Sequence, residues 1–394
     1  MPATPEHSIG RALPNTILRQ AETPGCQVPG RHPTLPFVST LERESHLLHT
    51  NDLQEQARRW FGQPAERIEA LRGDASRRAI YRLHYGSRTA IGIVGPHRAE
   101  NLAFIGFTQT FLALSLPVPE LYTVSDNQHV YLMEDLGDTT LAEYLQGCRD
   151  SSDRLNREAV LPALQQVVHD LVRFQVEAAD RIDYTLCYQH DSFDERTWLD
   201  DQQTFLDHFV RRFLPGSIDE ETLADDLKRH RKRLAQPDRS YFLYRDFQPR
   251  NIMVTPDGLR YIDYQSGRRG SVLYDIVSFA YSSSSRLDRT LRNEMIELHL
   301  HTMAQRTSQT TDHLREHVQA FALIRLLQAL GSYGRNGIAE GKPRFLRSIP
   351  TGLQNALHVL DQDPQLKQLH ALRDTLEAIL EARAWEPYLS NPDS

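Results

Sequence analysis

The sequence predicts an α+β chain in two lobes, a small antiparallel sheet followed by a larger, mainly helical lobe that carries a short hairpin. Three observations lead there. Five short runs of strand composition, at residues 68–71, 79–83, 89–94, 121–124 and 130–134, are bounded by turn residues and interrupted by one helical period. Beyond residue 134 the apolar spacing is helical almost throughout. The exception is residues 241–265, where apolar runs flank Pro256-Asp257-Gly258 and a carboxylate or carboxamide stands at each mouth.

Composition frames this reading. With 394 residues and 40% hydrophobic content, the chain has apolar material for two cores. A formal net charge of -7 offers no basic footprint for nucleic acid, so a small molecule is the expected partner. Cys26, Cys148 and Cys187 are scattered, with neither metal spacing nor a disulfide framework, as suits a reducing, cytoplasmic setting. No apolar run is long enough to span a bilayer and no signal-peptide pattern opens the chain, so a soluble, unprocessed protein without membrane association is expected.

Taken in order, residues 1–45 repeat Pro and Gly without a sustained period and are expected to form a loosely ordered extension. The small-sheet lobe is expected at residues 46–134. Its first helix should start at Thr50-Asn51, which offers an N-cap before Leu53, Ala57 and Trp60-Phe61, and stop at Gly62-Gln63-Pro64. Between the first two strands, Gly73, Ala75 and Ser76 beside Asp74 would let backbone N–H groups approach an anion; the same residues also suit an ordinary hairpin turn. A helix is expected over residues 98–115, with Glu100 near its start and Leu102, Ile105, Phe107, Phe111 and Leu114 on its apolar side. Pro117-Val118-Pro119 breaks the chain before the last two strands, and Glu134-Asp135-Leu136-Gly137 leads into the second lobe, residues 135–394.

Helices are expected there at residues 161–179, 195–213 and 219–234, Pro162 being tolerable only in a first turn. Tyr241-Phe242-Leu243-Tyr244 then reads as a strand, Asp246 and Asn251 share one loop, and Asp263 follows the hairpin. Metal-assisted phosphoryl transfer asks for this set: a carboxylate to take the proton of an acceptor hydroxyl, and an amide oxygen with a second carboxylate to hold magnesium on a triphosphate. Each residue alone is a common turn residue, so the argument rests on the three in this order.

At these residues the chain resembles the aminoglycoside phosphotransferase and choline kinase superfamily, small-molecule relatives of protein kinases. The resemblance covers roughly residues 70–283 and implies a two-lobed protein-kinase-like fold using ATP or GTP with Mg²⁺. It implies Asp246 as general base, Asn251 and Asp263 as metal ligands, and Asp275 as a brace for the catalytic loop. Gly73, Asp74, Ala75 and Ser76 would cover the nucleotide phosphates, and the backbone around Glu134 and Leu136 would meet the nucleobase. Gln248, Arg250 and Gln265 flank the same mouth as candidate contacts to acceptor or phosphate.

Within the superfamily, GDASRR (residues 73–78), MEDLGDTTL (133–141) and YRDFQPRN (244–251) are most similar to bacterial cell-wall amino-sugar kinases, which phosphorylate N-acetylmuramate or N-acetylglucosamine at the anomeric hydroxyl. The expected substrate is therefore an amino sugar, whose carboxylate, if present, would pair with Arg250, Arg268 or Arg269. There are departures. No Lys precedes Lys228, so the phosphate-binding Lys of kinase third strands is missing, and Arg77, Arg78 and Arg82 are the candidate replacements. Tyr244 stands where a His is usual, and Tyr264-Gln265 replaces the Phe-Gly of protein kinases.

Other readings compete. An aminoglycoside kinase would line its cleft with acid, for which Asp191, Asp194 and Asp200 are placed, though Arg196, Arg211 and Arg212 intervene. A catalytically silent nucleotide-binding regulator would explain the missing Lys but not three polar residues in catalytic order. His313-Leu314-Arg315-Glu316-His317 matches a zinc-peptidase H-x-x-E-H pattern without a clear third ligand. Further helices are expected near residues 287–304, 312–330 and 366–385, and the glycine-rich residues 331–337 read as helix termination or a ligand approach.

Overall fold

A computed structural model describes residues 40–71, 78–214, 216 and 219–389, with side chains from residue 49 onward. Residues 1–39, expected as an extension, and the loop residues Gly73, Asp74, Ala75, Ser76 and Arg77 lie outside the described residues.

The small lobe contains α1 (Thr40–Phe61), β1 (Arg67–Leu71), β2 (Ala79–Tyr85), β3 (Arg88–Val94), α2 (Arg98–Ala113), β4 (Leu121–Val124) and β5 (Val130–Glu134). Its five strands form one antiparallel sheet in the order β1-β2-β3-β5-β4. The alternation of β3 sorts its two faces, as a period of two requires. Ala90 and Val94 face α1 and join Leu53, Ala57, Tyr81 and Leu83 in a small core; Ile91 and Ile93 face the other way, into the main core with Phe104, Phe107 and Phe111 of α2. Gly92 is needed between them, because Leu53 occupies the space that a Cβ would take.

Helix α1 begins at Thr40, ten residues before the expected cap, and runs across residue 45. Thr50 and Asn51 lie mid-helix, where intrinsic capping preference is outweighed by the packing of Leu53 and Ala57, both fully buried, on the sheet.

The large lobe continues through α3 (Leu141–Gly147), α4 (Arg157–Glu177), α5 (Glu195–Phe205), a π-helical turn at Leu206–Val210, α6 (Arg211–Phe213) and α7 (Glu220–Leu234). Then come β6 (Tyr241–Leu243), β7 (Ile252–Thr255), β8 (Gly258–Tyr261), β9 (Arg268–Gly270) and α8 (Leu273–Ala280). The chain ends in α9 (Arg289–Arg306), α10 (Thr311–Gly334), α11 (Ile349–Gln362) and α12 (His370–Ala382). β7 and β8 form the expected hairpin, whereas β6 pairs with β9.

Three further departures from expectation stand out. Pro162 sits in the second turn of α4, whose cap is Asn156; the carbonyl it orphans belongs to exposed Glu158, where water can satisfy it. Helix α11 was not anticipated, although Leu353, Ala356, Val359 and Leu360 carry its period. The glycines of residues 331–337 do not end α10 early. Gly331 and Gly334 lie within it at a crossing: a Cβ on Gly331 would come within 2.8 Å of the Phe205 amide nitrogen, and one on Gly334 would collide with the His208 carbonyl. Among the described residues, no helix is long and apolar enough to cross a membrane.

Candidate active site

The loop after β6 is fixed from beneath. Asp275, in the first turn of α8 and fully buried, accepts the Tyr244 N–H at 2.8 Å and the Arg245 N–H at 2.9 Å. Gln175 of α4 donates to the same carboxylate at 3.2 Å and in turn contacts His299 at 2.9 Å. Burial pushes the Asp275 carboxyl up to about 6, against the lowering effect of its backbone and Gln175 donors. The Tyr244 hydroxyl donates to the Ile262 carbonyl at 2.7 Å, tying the loop to the far end of the hairpin. Arg245 adopts φ 78° and forks onto Asp201 at 2.7 and 2.9 Å while packing on Phe193 and Tyr274. A side chain so restrained holds the left-handed backbone that turns Asp246 toward the cleft.

Asp246, Asn251 and Asp263 come together at the mouth of the hairpin. The Asn251 amide donates to the Asp246 carbonyl at 2.8 Å and to Asp263 Oδ2 at 3.3 Å. Asp263 also has a left-handed backbone, φ 69°. Burial, and then the neighbouring Asp263 charge, raise the Asp246 carboxyl above the usual carboxylate range, opposed by Arg245, Arg325 and the Ser266 hydroxyl. Gln265 donates to Asp263 Oδ1 at 2.8 Å, and its own Oε1 is buried without a partner.

The small lobe supplies the cation. Arg78 donates to Asp263 Oδ1 at 2.6 Å and lies 3.4 Å from Glu100 of α2. Burial works against this guanidinium, but Asp263, Tyr131 and Glu100 outweigh it and keep it protonated. Arg82 turns elsewhere, bonding Asp135 at 2.7 and 3.0 Å and Asp138 at 2.8 Å, and so ties β2 to the connector that holds Glu134 and Leu136. Tyr264 stacks on Phe104 with ring centroids 4.9 Å apart and bonds Thr108 at 2.6 Å, joining α2 to the hairpin.

Arg78, Glu100, Arg245, Asp246, Asp263 and Gln265 line a cleft of about 550 Å³. Opposite the hairpin, its wall includes Gln189, Thr204 of α5, and Gln328 and Ser332 of α10. Of the flanking candidates, Gln265 lines the cleft; Gln248 instead accepts a 3.5 Å bond from Ser282, and Arg250 is exposed. Arg268 is buried and bonds Gln189 at 2.7 Å, and Arg269 lies over the Tyr184 ring at 4.0 Å. Asp191, Asp194 and Asp200 are engaged by Arg196 and His190 and are absent from the cleft lining. Glu100, Asp201 and Gln328 were not singled out as site residues from sequence, since only tertiary contact brings them to the loop, whereas Ser332 and Arg335 belong to the residues 331–337 for which a ligand approach was one expectation.

The oxygen donors present suit a hard cation such as magnesium. Asp263 brings a carboxylate, Asn251 spends its amide nitrogen on neighbours and so offers its oxygen, and the orphaned Gln265 oxygen lies beside them. The other metal candidate, His313, Glu316 and His317, has ligand atoms within 4.8 Å of one another but sits about 20 Å away along α10 from Gln328. Arg233 engages Glu316 there at 3.5 Å, so the carboxylate that the peptidase pattern needs as a base is already held by a cation.

Comparison with known proteins gives consistent matches. A family model described as Phosphotransferase enzyme family matches residues 67–307, more than half of the chain. An N-acetylmuramate/N-acetylglucosamine kinase of Pseudomonas aeruginosa is 26% identical over 331 residues, covering 81% of this chain and 91% of that protein. A like-named kinase of Pseudomonas putida is 22% identical over 334 residues, with the same coverage. Among solved structures, a choline kinase from Streptococcus pneumoniae superimposes with a TM-score of 0.53 at 12% identity, covering 82% of this chain and 99% of that one; this likeness bears on the fold alone.

Proposed function

Because the chain belongs to the phosphotransferase enzyme family, we propose that it transfers the γ-phosphoryl group of a nucleotide to the anomeric hydroxyl of an amino sugar. Phosphoryl transfer to a hydroxyl acceptor follows from the family, and the amino sugar is supported by the two N-acetylmuramate/N-acetylglucosamine kinases that the chain resembles along most of its length. The observation that carries the reading is the convergence of Asp246, Asp263 and Arg78 on one cleft, with Asn251 hydrogen-bonded to both Asp246 and Asp263 behind them.

Asp246 accepts the acceptor's proton as its oxygen attacks. Burial and the neighbouring Asp263 charge raise its pKa, which makes it a stronger base than an exposed carboxylate. Asn251, Asp263 and Gln265 offer the oxygen atoms that would hold magnesium, which when bound neutralises charge on the transferring phosphate. Arg78 takes the part of the missing Lys. Glu100 positions it, and its fork can share Asp263 with phosphate oxygens as a point-charge ammonium could not. Asp275 and the Arg245–Asp201 pair set the loop before any ligand arrives, so no reorganisation is needed at the reacting centre.

The cleft walls support a sugar over a polycation: Gln189, Thr204, Gln328 and Ser332 are neutral hydrogen-bonding groups, suited to hydroxyls and an acetamido group. Phosphorus NMR of the product formed from a nucleotide, magnesium and N-acetylglucosamine or N-acetylmuramate tests this. A sugar phosphate signal coupled to the anomeric proton is expected. Turnover of an aminoglycoside or choline with none of these sugars would overturn the acceptor assignment.

A further inference from the structure

Beside the catalytic loop lies a second cavity, of about 390 Å³, that phosphoryl transfer does not use. It is bounded by the turn after α8, by α9 and α10, and by the start of α11. Arg286, Arg292, Arg325 and Arg347 all line it, and among the described residues no Asp or Glu does. Arg286 is ion-paired with Asp153. The other three have no carboxylate within ion-pairing distance among the described residues.

Arg325 is only 9% exposed, yet its bonds go to neutral acceptors, Ser278 and Gln328, each at 2.8 Å. Arg292 donates to Asn355 Oδ1 at 3.2 Å and stacks over Tyr281 at 4.2 Å, while its Nε is buried with no acceptor. Ser348, the residue before α11, makes no side-chain cap bond and lines the same space with Thr351, so two hydroxyl groups also border it. A buried guanidinium whose hydrogen bonds go only to neutral acceptors, as those of Arg325 do, is costly, and an anionic ligand would offset that cost.

The cavity is linked to the reacting centre. Ser282, on its wall, donates to Gln248, two residues beyond Asp246, and Arg325 holds Gln328, which lines the catalytic cleft. We propose that this cavity is the subsite for an anionic arm of the acceptor, a carboxylate carried by the sugar whose hydroxyl is presented to Asp246. The proposal rests on the sugar-kinase reading, and it moves the carboxylate from Arg250, Arg268 and Arg269 to Arg292, Arg325 and Arg347.

N-acetylmuramate and N-acetylglucosamine share one ring and differ by a lactyl carboxylate, so calorimetric titration of both isolates the arm. The titrations are run on the whole protein at low salt, and on Arg292→Met, Arg292→Lys and the exposed-site variant Arg347→Gln. The parent should prefer the acid sugar. Arg292→Met and Arg347→Gln should each lower the acid-to-neutral affinity ratio by about 10-fold, the scale of one charge-assisted hydrogen bond, and Arg292→Lys should recover part of it. Inorganic phosphate should compete with the acid sugar.

An unchanged ratio in variants that melt as the parent does would overturn the proposal. So would phosphate binding that leaves both sugar titrations untouched, since the cavity would then serve a separate anion. If Arg292→Met fails to fold, Arg347→Gln carries the test. A shifted ratio without phosphorylation of either sugar would refute the kinase reading and leave the subsite standing; turnover of both with an unchanged ratio would do the reverse.

Discussion

Asp275→Asn separates two effects that the buried brace combines. The wild-type carboxyl is raised from 3.8 to about 6 in the folded protein. It therefore takes up its proton on folding before the unfolded chain would, so the stability it contributes is fully present below about pH 4 and is lost as pH rises through about 6. Between these two values, linkage gives about 1.4 kcal/mol more stability at about pH 5 than at about pH 7. For a chain of this length that is about 2 °C in Tm. Asn does not titrate, so this increment should vanish.

At neutral pH two larger contributions oppose each other. Removing a buried charge relieves about 3 kcal/mol, the free-energy equivalent of the raised pKa. The carboxamide, however, has one oxygen for the two N–H groups of Tyr244 and Arg245, and an orphaned buried N–H costs about 1–3 kcal/mol. Tm at neutral pH should thus move by only a few degrees. Turnover should fall about 100-fold, because the loop presenting Asp246 loses one of its fixings and a displacement of about 1 Å has that effect. Thermal melts of both proteins across this pH range, with kcat measured on the same samples, provide the check. Parallel pH dependences would show that Asp275 is not the titrating group, and an undiminished kcat would remove its bracing role.

Asp246→Asn should retain nucleotide binding and lower turnover by about 10²- to 10⁴-fold, the scale of a lost general base. In the parent, the acid limb of the pH–rate profile should lie above the ordinary carboxylate range, since activity needs the ionised form of a group whose pKa is raised; a limb at the ordinary value would point to another base. Asp263→Ala should weaken magnesium-dependent nucleotide affinity, read by titration with and without the metal, and equal affinities would remove it as a ligand. Arg78→Gln should raise the KM for nucleotide and lower kcat, with Arg78→Lys restoring part of the loss. Wild-type kinetics in Arg78→Gln would leave the Lys function unfilled.

What the sequence disclosed and what it hid differ by range. Asp246, Asn251 and Asp263 lie on one hairpin, so their spacing alone brings them together, and strands such as β4 and β5 coincide with the runs that announced them. The Arg78–Asp263 bond joins residues 185 apart, and nothing local distinguishes Arg78 from Arg82, which bonds the connector instead. Likewise Arg325 reads as one more charge on a helix until α8 and α11 close over it. Local preference also misled: Thr50-Asn51 is a good cap that the packing of Leu53 overrides.

The crossing of α10 over the end of α5 at Gly331, and over the π-helical turn that follows α5 at Gly334, bears on how substrate range could change. Thr204 and Ser332 project into the cleft from those two helices, so the width between them is set where main chain meets main chain. Exchanging Thr204 or Ser332 alters which groups an acceptor meets while leaving the spacing alone. A single methyl at position 334 would push the walls apart and leave their chemistry as it was. Gauge and lining can therefore be varied one at a time, which gives a descendant, or a designer, two independent dials on the same cleft.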